Sequence, residues 1–346
     1  MLKMKNELCS LFLLLFILIV IQALGCSSDD CTPVLSQEYE QYRVTVSGGS
    51  SPSDVSTYTE DRNSRTTVVI TPNLPEPDDG WKYVVYFEFM DIDGTSFLGV
   101  PGGLYENPQC VDPADQPLQE SFHKLLEQGY AIILTSEWSW DNLFYLPCSS
   151  VDPEDGCWFE ENPDLLYWQA LFERIRTNTL VADVKFNYDQ MALIGQSVGA
   201  QMASRAMDVF PTLLTTSGNP LPDLKAVAMI AGGSLYCYLY YGVEPKPQFF
   251  SDNYTPCDRP DLGCCPLRLT SPRFDGGLEW SSHPPTILIQ HENDSYADPK
   301  ASVYYFEILY ENDVEAELYR PAGTLHGMAP ENVTDLVTFL SFHLGD

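Results

Sequence analysis

Asp189-Gln190-Met191-Ala192-Leu193-Ile194-Gly195-Gln196-Ser197-Val198-Gly199-Ala200-Gln201-Met202-Ala203 joins a short apolar run to a helix-forming run through Gly-x-Ser-x-Gly. The apolar run has the character of a buried strand, and the chain after it has the character of a helix. A serine between the two sits on a sharp turn, where small neighbours let strand and helix approach and leave the hydroxyl exposed. The following amides then lie at a helix N-terminus, which favours a developing anion. Ser197 is therefore the candidate nucleophile. A serine in this place also serves as an ordinary helix N-cap, and sequence leaves both roles open.

The chain has 346 residues, with 49 Asp and Glu against 18 Lys and Arg, a formal net charge of −31. Like charge repels nucleic acid and polyanionic polysaccharide at long range, so neither is expected as a partner. Lys3 and Lys5 precede an apolar run from Leu11 to Ile21 that ends at Ala23-Leu24-Gly25-Cys26. The run is short for a membrane span and stops at small residues, as a secretory signal does. Cleavage after Gly25 is one reading; lipidation of Cys26, which would attach the chain to a membrane, is another, and an uncleaved anchor is the third. Residues 1–25 are thus read as a signal peptide, 26–40 as a linker, and 41–346 as one catalytic domain of the size a single large core supports.

Of ten cysteines, Cys9 lies in the signal and Cys26 is the lipidation candidate, leaving Cys31, Cys110, Cys148, Cys157, Cys237, Cys257, Cys264 and Cys265. Eight thiols allow on the order of 100 pairings. They sit in polar, Pro-rich segments without the spacing of a zinc site, so disulfides are favoured over metal. Cys148 with Cys157, and Cys257 within the Cys237–Cys265 region, are the expected staples. A cystine-pinned insertion is placed at about 234–283, where periodicity fails over a length that is usually functional inside a compact domain.

Elsewhere strands and helices alternate. Strands are expected at Gln41–Val46, Thr66–Ile70, Trp81–Met90, Tyr130–Thr135, Met191–Ile194, Leu224–Ile230, Thr286–Gln290 and Val314–Tyr319. Helices are expected at Pro117–Gln128, Pro163–Thr179, Ser197–Val209, Asp298–Glu311 and Asn332–Leu344. The first two strands read as antiparallel, and the alternation predicts a mostly parallel sheet covered on both faces.

A serine needs a base to take its proton and an anion to hold that base. Asp294 follows the strand Thr286–Gln290, and His326 follows Val314–Tyr319, so both lie beyond strand C-termini, on the edge where Ser197 sits. With the order Ser197, Asp294, His326, the chain resembles the α/β-hydrolase family over roughly residues 66 to 344. The resemblance rests on Gly195–Gly199, on Asn293-Asp294-Ser295 with Asp298-Pro299, and on Gly323–Gly327. It implies that Ser197 attacks a carbonyl, His326 shuttles the proton and Asp294 orients the imidazole. Glu292 and Asp298 are the other acids in reach, although Asp298 reads better as the cap of the next helix. His291 is the other nearby base; His123 and His343 fall on helices, and His283 precedes Pro284-Pro285.

The resemblance also implies an oxyanion hole made by the amide of Val198 and a second amide, from Phe89 or Met90, after the strand Trp81–Met90. Many relatives in that family carry His-Gly-Gly there; this chain has Glu88-Phe89-Met90-Asp91. Asp91-Ile92-Asp93-Gly94 reads as a turn rather than a calcium loop. The aromatics of residues 136–145 suit either a substrate platform or packing. Asn253, Asn293 and Asn332 begin glycosylation sequons. The leading expectation is an extracellular serine carboxylic-ester hydrolase for a small-molecule or polymeric ester. A serine peptidase of the same fold and a catalytically silent binding protein are the alternatives. Protein groups and water suffice for this chemistry, so neither cofactor nor metal is implied.

Overall fold

The computed structural model describes residues 39–47, 64–87, 115–135, 163–211, 213–232, 282–295, 297 and 299–345. The signal, all ten cysteines, Phe89, Met90, Asp91–Gly94, residues 136–145, Asp298 and nearly all of the 234–283 insertion lie outside them. Eight strands form one sheet: β1 (Tyr39–Ser47), β2 (Ser64–Pro72), β3 (Trp81–Phe87), β4 (Ala131–Thr135), β5 (Phe186–Gln196), β6 (Leu224–Ile230), β7 (Thr286–Ile289) and β8 (Ala316–Tyr319). Their spatial order is β1-β2-β4-β3-β5-β6-β7-β8. β2 runs antiparallel to both β1 and β4, and every pair from β4 to β8 is parallel.

Five helices are described: α1 (Gln116–Glu127), α2 (Pro163–Arg176), α3 (Val198–Val209), α4 (Pro299–Glu311) and α5 (Asn332–Leu344). Alternation along the strands sorts their side chains between two cores, as a period of two requires. Tyr83, Val85 and Phe87 of β3, with Met191 and Leu193 of β5, pack against Trp168, Leu171 and Phe172 of α2 and against α3 and α4. Val84, Tyr86, Ala192 and Ile194 face the other way, onto Phe122 and Leu126 of α1 and Leu336 and Leu340 of α5. Because both faces are covered, the central strands read as continuous apolar runs rather than alternating ones.

β1 begins at Tyr39, inside the 26–40 segment expected as linker, and among the described residues two boundaries differ from the sequence expectation by three residues or more. β5 begins at Phe186, five residues before Met191, because its polar first half pairs at the sheet margin through Trp81 opposite Phe186. α2 ends at Arg176 rather than Thr179, since Asn178 takes a positive φ of 53°. There the amides of Asn178 and Thr179 close onto the carbonyl oxygens of Ile175 and Arg174, while the Arg174 guanidinium donates to those of Thr179, Leu180 and Thr45 and so ties the exit of the helix to β1. The mixed sheet with helices on both faces is that of an α/β-hydrolase fold.

Candidate active site

A row of backbone hydrogen bonds continues past the strand ends and sets the heights of the loops above them. The amide of Ser197 donates to the carbonyl of Ile230 at 2.8 Å, that of Ala231 to Ile289 at 2.8 Å, and that of Gln290 to Tyr319 at 3.0 Å. Ser197 therefore leaves β5 locked to β6, while the loops after β7 and β8 start from the same level. Two further bonds lace those loops together, from the Glu292 amide to Pro321 O at 3.1 Å and from the Asn293 amide to Gly323 O at 3.0 Å.

Ser197 adopts φ 53° and ψ −117°, a conformation that costs a non-glycine residue about 1–3 kcal/mol and persists only where the surroundings enforce it. Close packing enforces it here. A Cβ on Gly195 would lie 2.0 Å from the carbonyl oxygen of Gly199, and one on Gly232 would lie 2.3 Å from that of Ser197. Glycines on both sides thus let α3 start directly over the sheet. The Ser197 side chain makes no capping hydrogen bond to α3. Its hydroxyl instead meets the Nε2 of His326 at 2.8 Å.

On the other side of the ring, His326 Nδ1 lies 2.8 Å from Asp294 Oδ2. Asp294 is acceptor-only when ionised, so Nδ1 carries the proton and Nε2 is left to accept from the serine hydroxyl. The Asp294 side chain is wholly buried, while that of His326 is 16% exposed. A buried carboxylate is tolerable only when its lone pairs are satisfied. Besides His326, the amide of Ala297 donates to Oδ1 at 3.1 Å and Gln290 Nε2 donates to Oδ2 at 2.8 Å. The structure thus brings Ser197, His326 and Asp294 into one hydrogen-bonded chain, with Val198 as the first residue of α3.

The other sequence candidates take different places. Glu292 is exposed, whereas Asp294 is buried. His291 is buried, and neither ring nitrogen has a hydrogen-bond partner; its Nδ1 lies 3.3 Å from where a Cβ on Gly323 would stand. His283 is held by the Tyr305 hydroxyl and the Pro284 carbonyl, and His123 meets the Tyr39 hydroxyl. Asn332, a sequon residue, is buried with its amide on Asp335, whereas the sequon residue Asn293 is exposed.

Sequence reasoning missed three supports of the site. Gly232 belongs to an ordinary Ala-Gly-Gly run, although a glycine pair one residue past a strand was the available signal. Gln196, beside the serine, is buried and donates to Asp115 Oδ1 at 2.8 Å, at the start of α1. Gln290 follows β7 with no local feature to mark its contact with Asp294.

No protein-family model and no curated protein matches the chain. Among solved structures it is similar to a truncated carbohydrate esterase from gut microbiota, at 14% identity and a TM-score of 0.55, over 90% of this chain and 99% of that one. It is also similar to prolyl endopeptidases, at 14% identity and a TM-score of 0.52, over 89% of this chain and 39% of theirs. A bifunctional GH43-CE protein of Bacteroides eggerthii aligns at 16% identity and a TM-score of 0.50, over 81% of this chain and 36% of its own. The chain therefore spans well under half the length of the second and third of these. Identity at this level speaks for architecture alone, and the architecture shared is the α/β-hydrolase fold.

Proposed function

We propose that the chain is a serine carboxylic-ester hydrolase working through an acyl-enzyme on Ser197. The carrying observation is the continuous hydrogen-bonded path from the Ser197 hydroxyl through His326 to the buried Asp294, built on a strained strand-to-helix turn. As Ser197 Oγ attacks a carbonyl carbon, its proton passes to His326 Nε2, and the imidazolium that forms is stabilised by Asp294. The oxyanion develops over the N-terminus of α3, whose first residue, Val198, offers the backbone amide proposed as one donor. Phe89 or Met90 is the proposed source of a second donor. His326 then returns its proton to the departing alcohol. Water attacks the acyl-enzyme with His326 as general base, and release of the carboxylic acid restores the serine.

The test is covalent labelling by a fluorophosphonate probe, with Ser197→Ala as control. Labelling of the parent alone, followed by turnover of short-chain aryl esters, is the expected result. A folded parent that resists the probe overturns the reading and leaves a catalytically silent scaffold. The similarity to prolyl endopeptidases motivates one second reading, hydrolysis of a peptide amide. Cleavage of peptide amides faster than esters in the same assay selects it. Export, with or without lipid on Cys26, belongs to the proposal and is checked by the mass of the mature N-terminus.

A further inference from the structure

We propose that Gln290 is a positioning residue of this site: clamped between Ser302 and Asp294, it aims the carboxylate at His326. The inference rests on the reading of Ser197, His326 and Asp294 as the reacting set and adds a fourth member to it. Gln290 follows the last residue of β7 and is 1% exposed. Its backbone amide is fixed to Tyr319 O at 3.0 Å, so its side chain rises from a rigid point.

The amide can face only one way. Asp294 Oδ2 accepts and cannot donate, so the Nε2 group must point at it, 2.8 Å away. The opposite end, Oε1, then takes a hydrogen bond from the Ser302 hydroxyl of α4 at 3.3 Å, and Ser302 is itself 2% exposed. Flipping the amide would set an oxygen against the carboxylate and strand the serine proton. Ser302 thereby holds Gln290 in one orientation.

The consequence falls on Oδ2, the atom that also receives His326 Nδ1 at 2.8 Å. Two donors on one oxygen, with the Ala297 amide on the other, set the plane of the carboxylate and leave His326 one direction of approach. A charged acceptor shared between two donors also gives each a weaker bond than it would give one alone. Gln290 therefore governs both the aim and the strength of the His326–Asp294 hydrogen bond. A purely space-filling glutamine would govern neither.

Gln290→Met keeps the length and removes the donor. Gln290→Met combined with Ser302→Ala also removes the stranded hydroxyl, which guards against a folding defect of the single change. Ser302→Ala alone frees the amide while keeping it. Two readouts apply to each, after melting curves have shown a folded protein. The first is the low-field proton resonance of His326 Nδ1–H, which needs no turnover; we expect it to move downfield in both Met variants and to broaden in Ser302→Ala. The second is hydrolysis of a short aryl ester, where kcat should fall about tenfold with KM unchanged, the size expected for losing one hydrogen bond to a charged group. An unmoved resonance in folded Gln290→Met overturns the inference, as does an unchanged kcat in an active enzyme. A parent that shows the resonance and its shift but hydrolyses nothing instead defeats the proposed function and leaves the role of Gln290 toward Asp294 standing.

Discussion

Ser197 is held in a backbone conformation that its own side chain disfavours, and the holding is done by the absence of side chains elsewhere. Gly232, at the end of β6, touches the elbow through space: an added Cβ would meet Ser197 O at 2.3 Å and Ala200 Cβ at 2.6 Å. One of these is backbone, so no rotamer change relieves the clash; the elbow or β6 has to move. Gly232→Ala is expected to destabilise the fold by about 3 kcal/mol, in the range of overpacked cores. It should also slow phosphonylation of Ser197 in the fraction that stays folded. Chemical denaturation and probe-labelling rates check both, and wild-type labelling in this variant would show that the elbow tolerates displacement.

Between elements, the end of α2 depends on charge as well as on packing. Glu173 Oε1 accepts from the Arg176 guanidinium at 2.7 Å and from the Ser217 hydroxyl at 2.8 Å, joining the helix to the turn that precedes β6. The Arg176 hydrogen bond, with help from Thr215 and Ser217, pulls the Glu173 carboxyl down to about 2 from its ordinary 4.5. A folded-state value below the unfolded one means that the carboxylate's contribution is complete above about pH 4.5. It is lost as pH falls toward about 2. Parent protein should therefore lose melting temperature over that window more steeply than Glu173→Gln. Parallel curves for the two would remove Glu173 from the acid response. The position of this end was only partly legible. The apolar face of α2 announced the helix, but Thr177 and Asn178 carry no apolar signal, and the end follows from the positive φ at Asn178, which lets the Thr179 amide close onto the Arg174 carbonyl.

For the molecule as a whole, a formal charge of −31 sets a repulsion that the compact state feels more than the unfolded chain. Raising salt from about 0.01 M to 0.5 M shortens the screening length several-fold. The melting temperature is expected to rise with it, by about 1–2 °C for each kcal/mol of repulsion relieved in a domain of this size. Calorimetry at fixed pH across that range is the check. A flat or falling trend would mean that attractive surface pairs offset the excess of acid. The described helices offer no membrane span, none being long and apolar enough to cross one. The charge acts on solubility and on partner choice; it does not select the fold.

What the chain determined unaided is whatever nearest-neighbour chemistry can encode. Apolar runs too continuous for a half-exposed sheet announced buried parallel strands, Pro117 and Gly129 bracketed α1, and Gly195-Gln196-Ser197-Val198-Gly199 marked a tight strand-to-helix turn. Asp294 and His326 were legible as strand-end residues with chemistry to offer, and their order along the chain suited the serine. Tertiary structure alone decided that Ser197 binds His326 instead of capping α3, because the two residues are 129 positions apart and meet only across aligned strands. It likewise decided between Glu292 and Asp294, one exposed and one buried, and separated His326 from His291. Gly232, Gln290 and Ser302 stayed silent in the sequence for the same reason. Their roles lie in what stands next to them in space, and a one-dimensional pattern carries no record of neighbours brought in by the sheet.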